Sequence, residues 1–196
     1  AFQEAVVGGR SVGVPGAIRM LEMAHKEHGQ LPWASLFEPA IRLATDGFKV
    51  SARLNALTTQ EKFLGQDPVA SGYFLDASGK PWPVGHLLKN PEYAAVLKDI
   101  AQHGSKALLE GPVAEAMVRK VQGHASNPGK LSMADLAAYQ PVKREALCSD
   151  YSPSAPGAPA SQPASTRSYC LCCFPPPSSG GIAGAQILGI LGHTPA

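Results

Sequence analysis

The stretch Phe174-Pro-Pro-Pro-Ser-Ser-Gly-Gly-Ile182, running into the apolar residues 183–191, limits the folds open to this chain more than any other segment. Three consecutive prolines predict an extended, polyproline-like approach with no amide donors. Ser178 and Ser179 are good helix N-caps, and Gly180 and Gly181 let the backbone turn sharply. The helix predicted next is apolar nearly all round, through Ile182, Ala183, Ala185, Ile187, Leu188, Ile190 and Leu191, with only Gln186 and small glycines between. A helix of that kind is expected inside a layered core.

A chain of 196 residues holds one good-sized domain or part of a larger one. Its net charge of +2 is small and evenly spread, which argues against a nucleic-acid or anionic-membrane partner. No run of eighteen apolar residues exists, so no membrane span is expected. The first residues, Ala1-Phe-Gln-Glu4, carry neither an initiator Met nor a basic leader, and the last follow directly on the apolar helix. The expectation is an internal piece of a longer protein, without a targeting signal of its own.

Cys148, Cys170, Cys172 and Cys173 are the only cysteines, three of them in Tyr169-Cys-Leu-Cys-Cys-Phe174. Their spacing matches no zinc motif, so they are expected to be metal-free, as small apolar residues on a buried strand. A disulfide from Cys148 to the cluster requires that two strands pair there.

Along the chain, Gly8 to Gly16 reads as a short strand and turn, and residues 16–28 as an amphipathic helix stopped at Gly29. Pro32 opens an element burying Trp33, Leu36 and Phe37, and Pro39 forces a break or kink before Ile41, Leu43 and Ala44. Asp46-Gly47 ends that helix, and Ser51 caps another carrying Leu54, Leu57 and Phe63. Residues 71–80 read as a hairpin, with Tyr73-Phe-Leu75 as a strand and Asp76-Ala-Ser-Gly79 as its turn. Asn90-Pro91-Glu92 starts a helix burying Tyr93, Val96, Leu97 and Ile100. Pro112 opens a further helix through Val113, Met117 and Val121. Ser132-Met-Ala-Asp135 is a capping box ahead of Leu136 and Tyr139, and residues 142–151 favour a strand. Residues 152–168, built from Ser, Pro, Ala and Gly with the single charge Arg167, are expected to form a loosely held loop.

In this order the motifs resemble the large subunit of gamma-glutamyltranspeptidases. Gly8-Gly-Arg-Ser-Val-Gly-Val-Pro-Gly16 is similar to that family's glycine-rich segment ahead of a long helix. Leu31-Pro-Trp33, Glu38-Pro-Ala-Ile-Arg-Leu-Ala44 and Asp46-Gly-Phe48 resemble its "P…PA…LA.DGF" pattern, and Gly129-Lys-Leu-Ser-Met-Ala-Asp-Leu-Ala-Ala-Tyr139 its "G…..DLA.Y" helix before PPPSSGG. The resemblance implies an α+β fold, part of an N-terminal-nucleophile αββα sandwich, mostly helical here with a few C-terminal strands. Residues 1–196 would then form a partial large-subunit domain, with 152–168 as a loop insertion relative to the family pattern. It further implies a gamma-glutamyltransferase or glutathione hydrolase that cuts itself into two subunits, works without a cofactor, and is periplasmic or extracellular. Its partners would be the small subunit of the same precursor and glutathione-like gamma-glutamyl compounds.

The family's nucleophile is a threonine whose own α-amine serves as base. The resemblance places that threonine and most substrate contacts downstream of PPPSSGG, and a carboxylate-binding arginine upstream of the glycine-rich segment. Arg10, Arg19 and Arg42 do not match the arginine motif. No catalytic, substrate-binding or metal residue is therefore assigned on this chain. Among local candidates, Thr58-Thr59 falls within a predicted helix, and Ser178-Ser179 reads as a helix cap more than an anion site. His25 and His28 share a helix face, while His86, His103, His124 and His193 are scattered; helix-end or surface roles fit them better than metal ligation. Glu22 with Glu27, and Asp46 with Glu38, read as solvated helix charges rather than acid–base pairs. Two other readings stand beside the transferase: a related cephalosporin-type acylase of the same fold, and a catalytically dead helical interaction module.

Overall fold

The computed structural model describes residues 6–152 and 168–191. It divides into two compact units, residues 1–141 and 142–196.

The first unit opens with a 3-10 turn at Gly9–Ser11 rather than the expected strand. Long-range packing decides this: a Cβ on Gly9 would overlap the Val121 carbonyl oxygen, and a Cβ on Gly129 would overlap the Gly9 carbonyl oxygen. Helix α1 (Ala17–His28) follows, with three basic residues in its last turn, where they suit the helix dipole. A 3-10 segment (Trp33–Phe37) leads into α2 (Glu38–Asp46). Pro39 sits in the first turn of α2, where its missing N–H costs nothing, so it starts the helix instead of breaking it. Leu36 is exposed and Trp33 half-buried, its indole Nε1 donating to the Ile100 carbonyl at 3.0 Å.

Strand β1 (Phe48–Lys49) pairs antiparallel with β2 (Leu87–Leu88), Phe48 opposite Leu88. Between them lie α3 (Ala52–Gln60), capped by Ser51 Oγ accepting from Leu54 N, and α4 (Pro68–Phe74). The expected hairpin is only half present: Asp76 Oδ1 accepts from Ser78 N and Lys80 N in the turn, but Tyr73 and Phe74 are helical. Asp67, whose carboxylate accepts from Val69 N and Ala70 N at 2.9 Å each, and Pro68 behind it nucleate α4 against the β-preference of the aromatic pair.

Helix α5 (Pro91–His103) starts as expected, with Asn90 Oδ1 accepting from Tyr93 N at 2.8 Å. It packs along α2 and buries Ala94, Leu97 and Ile100, whereas Tyr93 points outward. Short α6 (Lys106–Leu109), α7 (Gly111–Gln122) and α8 (Met133–Ala138) close the unit. Ser132 and Asp135 form the reciprocal capping box of α8. Leu109, Ala114, Val118, Val121, Leu131 and Leu136 make one core cluster with Val14 and Leu108 against it. Leu109 and Leu136 are fully buried, each worth about 1.5–3 kcal/mol relative to an exposed position.

In the second unit, β3 (Leu147–Tyr151) pairs antiparallel with β4 (Tyr169–Cys173), Cys148 standing opposite Cys172. Helix α9 (Gly180–Leu191) packs on both strands. Every residue of β4 is exposed among the described residues, which overturns the expectation of a buried cysteine strand. The approach to α9 is also not a continuous polyproline helix, because Pro176 and Pro177 lie in a turn that Ser178 N closes on the Pro175 carbonyl. On α9 itself Ile182, Ile187, Ile190 and Leu191 are exposed among the described residues. The expected loop at 152–168 falls, for 153–167, outside the described residues. No helix among the described residues is long and apolar enough to cross a membrane.

Candidate functional site

The turn joining β4 to α9 carries the Phe174-Pro-Pro-Pro-Ser-Ser-Gly-Gly-Ile182 motif. Ser178 N donates to the Pro175 carbonyl at 3.2 Å, and Ala183 N to the Ser179 carbonyl at 2.9 Å, so the backbone passes from turn to helix without a gap. The two glycines differ sharply. A Cβ on Gly180 would meet open space, whereas one on Gly181 would overlap the Phe174 carbonyl oxygen and stand 2.9 Å from Cys173 Cβ. Gly181 is buried and holds the first turn of α9 against the end of β4. The second glycine of the pair therefore serves close approach rather than chain flexibility.

Among the described residues, the weighed threonines and histidines make structural contacts. Thr58 Oγ1 donates back to the Leu54 and Asn55 carbonyls at 2.9 and 3.0 Å, and Thr59 Oγ1 to Asn55 at 2.7 Å. Both hydroxyls are spent on their own helix and face no base. His25 Nε2 lies 2.8 Å from the Leu31 carbonyl with its ring edge-on to Trp33; His28 lies 3.5 Å from Glu27. His86 stacks flat on Trp82 at 3.9 Å, His103 pairs with Asp99 at 2.6 Å, and His124 Nδ1 accepts from Asn127 N. His193 lies outside the described residues. Glu38 and Asp46 stand at opposite ends of α2 and cannot act as a pair.

Glu22 is the exception to the expected solvated charges. It joins Lys26 at 2.7 Å and accepts from Ser105 N at 3.0 Å, reaching across to the chain just after α5. Burial pushes its carboxyl up, but hydrogen bonds from Lys26 and Ser105 and the Lys26 charge outweigh it and bring the pKa to about 2. That places Glu22 as a clamp, ionised at any physiological pH. Gly104, at φ +69, makes room for the carboxylate, which a Cβ there would meet at 3.0 Å. Sequence offered no signal for this contact, which spans 83 residues.

An open cleft of about 630 Å³ is lined by Phe63, Asp67, Arg119, Lys120 and His124 among others. Lys120 there is already paired with Asp67 at 2.6 Å, and Arg119 stands 3.6 Å from Glu115. The Lys120 hydrogen bond, followed by that from Ala70 N, holds the Asp67 carboxyl below the usual range. The cleft therefore has little unspent charge with which to hold a substrate.

The cysteines come together where sequence spacing kept them apart. Cys148 and Cys172 form a disulfide across β3 and β4, and Cys170 and Cys173 are free. The opening of a disulfide route between Cys148 and the cluster depended on strand pairing, and the register supplies it.

The weighed threonines, and the histidines among the described residues, are thus engaged in structural contacts. The architecture of the chain is that of the N-terminal-nucleophile hydrolases: the crystal structure of Helicobacter pylori gamma-glutamyltranspeptidase matches 99% of this chain and 51% of its own at a TM-score of 0.84, with 25% identity. The chain belongs to the gamma-glutamyltranspeptidase family, whose model matches residues 1–196. It is 33% identical to Glutathione hydrolase 3 of Arabidopsis thaliana over 94% of this chain and 26% of that protein. It is 36% identical to the Acylase ACY 1 proenzyme of Pseudomonas sp. strain V22, over 96% of this chain and 31% of that protein. The chain thus spans roughly a quarter to a third of these curated relatives.

Proposed function

We propose that this chain is the scaffold part of the large subunit of a glutathione hydrolase, which transfers the gamma-glutamyl group of glutathione to water or to amino-acid and peptide acceptors. The observation that carries this reading is the family match along all 196 residues, with a glutathione hydrolase among the relatives. The nucleophile is a threonine of the small subunit, its hydroxyl activated by its own α-amine. The role of this chain is to position: Gly181 seats α9, and α9 offers Ile187, Ile190 and Leu191 as an apolar face for the rest of the enzyme. The name proenzyme carried by the Pseudomonas acylase supports a precursor cleaved into subunits. A periplasmic or extracellular setting accords with the Cys148–Cys172 disulfide, since such bonds persist in oxidising compartments. No cofactor enters this mechanism.

The same acylase relative favours a second reading, hydrolysis of a cephalosporin side-chain amide by the same nucleophile chemistry. A chromogenic gamma-glutamyl anilide and a cephalosporin amide, offered side by side, separate the two. The 196-residue chain alone is expected to turn over neither, because removing even one oxyanion-hole donor typically costs ~10²–10³ in rate and the nucleophile is absent. The full-length polypeptide is expected to release the anilide. Turnover of only the cephalosporin amide would establish the acylase, turnover of neither the dead interaction module, and activity in the isolated chain would refute the scaffold role.

A further inference from the structure

On one face of the β3–β4 ribbon the register sets four residues in a square: Cys148 opposite Cys172, and Asp150 opposite Cys170. Successive residues alternate faces, so Cys170 and Cys172 share this face while Cys173 lies on the other. Cys170 Sγ is 3.9 Å from Cys172 Sγ, and the three sulfurs of Cys148, Cys170 and Cys172 all lie within 4.8 Å of one another. All three residues are exposed, so an ion has an open approach. Four zinc–thiolate bonds of about 2.3 Å in a tetrahedron put neighbouring sulfurs about 3.8 Å apart. The ribbon already holds Cys170 and Cys172 at that spacing.

We propose that the reduced form of this ribbon is a binding site for a thiophilic divalent cation, zinc or cadmium, held by Cys148, Cys170 and Cys172. The disulfide closes the site and its reduction opens it. A dithiol reductant supplies two electrons and two protons to the Cys148–Cys172 bond, giving two thiols, and is itself oxidised to a cyclic disulfide. Binding then displaces the three thiol protons, since the thiolate is the ligand. The fourth position faces water and the Asp150 side of the square. In-sequence spacing argues against zinc because it counts residues along one strand; here one ligand comes from the neighbouring strand, 24 residues away.

The test uses the full-length polypeptide, reduced with dithiothreitol and desalted without oxygen, beside its oxidised form. Cadmium is titrated by thiolate-to-metal charge-transfer absorbance, and zinc content is measured after anaerobic gel filtration. The reduced protein is expected to take up one equivalent and the oxidised protein none. Of the four thiols that this chain contributes to the reduced protein, metal is expected to shield three from an aromatic disulfide reagent and leave Cys173. Cys170→Ser is expected to weaken cadmium binding by about tenfold or more, and Cys173→Ser to leave it unchanged. An equivalent of metal bound equally by the oxidised protein would overturn the proposal. So would wild-type affinity in Cys170→Ser, or loss of the site in Cys173→Ser. None of these readouts depends on gamma-glutamyl transfer.

Discussion

Two adjacent glycines with opposite surroundings allow the role of the PPPSSGG junction to be measured. Replacing Gly180 or Gly181 by Ala adds the same methyl group and the same gain in helix propensity, up to about 1 kcal/mol. At Gly180 the methyl enters open space, so the gain is kept. At Gly181 it would strike the Phe174 carbonyl oxygen and Cys173 Cβ, both fixed by the end of β4. Forcing an extra carbon into packed backbone costs about 1–3 kcal/mol, so the net loss after the propensity gain is about 0.5–2 kcal/mol. For a chain of this size that is a fall in Tm of roughly 1–8 °C for Gly181→Ala, against a rise of up to about 4 °C for Gly180→Ala. Far-UV circular dichroism melts, with amide exchange across residues 180–191, read both changes. If the two substitutions moved stability in the same direction, the close approach at Gly181 would not be what fixes α9.

The Glu22 clamp carries a pH signature. A carboxyl lowered from 4.5 to about 2 stabilises the fold fully above about pH 4.5 and loses that contribution as pH falls through 2. Solvent screening at this partly exposed side chain brings the contribution to about 1–2 kcal/mol. Urea unfolding should therefore show Glu22→Gln less stable than the wild type at pH 7, the gap shrinking by pH 3; a gap constant with pH would refute the ionic reading. Leu136→Ala removes a side chain with no exposure from the cluster around Val118 and Val121, and is expected to cost about 2–5 kcal/mol in the same assay. A cost under 1 kcal/mol would mean that the site collapses around the gap.

Signals confined to a few neighbouring residues were legible. The capping box of Ser132 and Asp135, the Asn90-Pro91 start and the Ser51 cap are each closed by bonds spanning three residues, and each formed as read. The family and its layered fold were legible too, because the motifs fall in order along the whole chain. Misreadings arose where distant chain decides the outcome. Gly9 forms a 3-10 turn because residues 121 and 129 press on it, and the Ser105–Glu22 bond has no local trace. Tyr73 and Phe74 are a different case: Asp67 and Pro68 start α4 locally, and that helix start overrides the β-preference of the two aromatics. For the site, the sulfur square was not legible, since only strand register reveals it.

The division into two units has an optical consequence. Both tryptophans, Trp33 and Trp82, belong to residues 1–141, and each lies against an imidazole, His25 edge-on and His86 face to face. Tryptophan emission from this chain therefore originates in the helical unit. The cystine ribbon and α9 carry no tryptophan of their own, and their transitions are followed directly through the peptide bond, the thiols or the tyrosines Tyr151 and Tyr169.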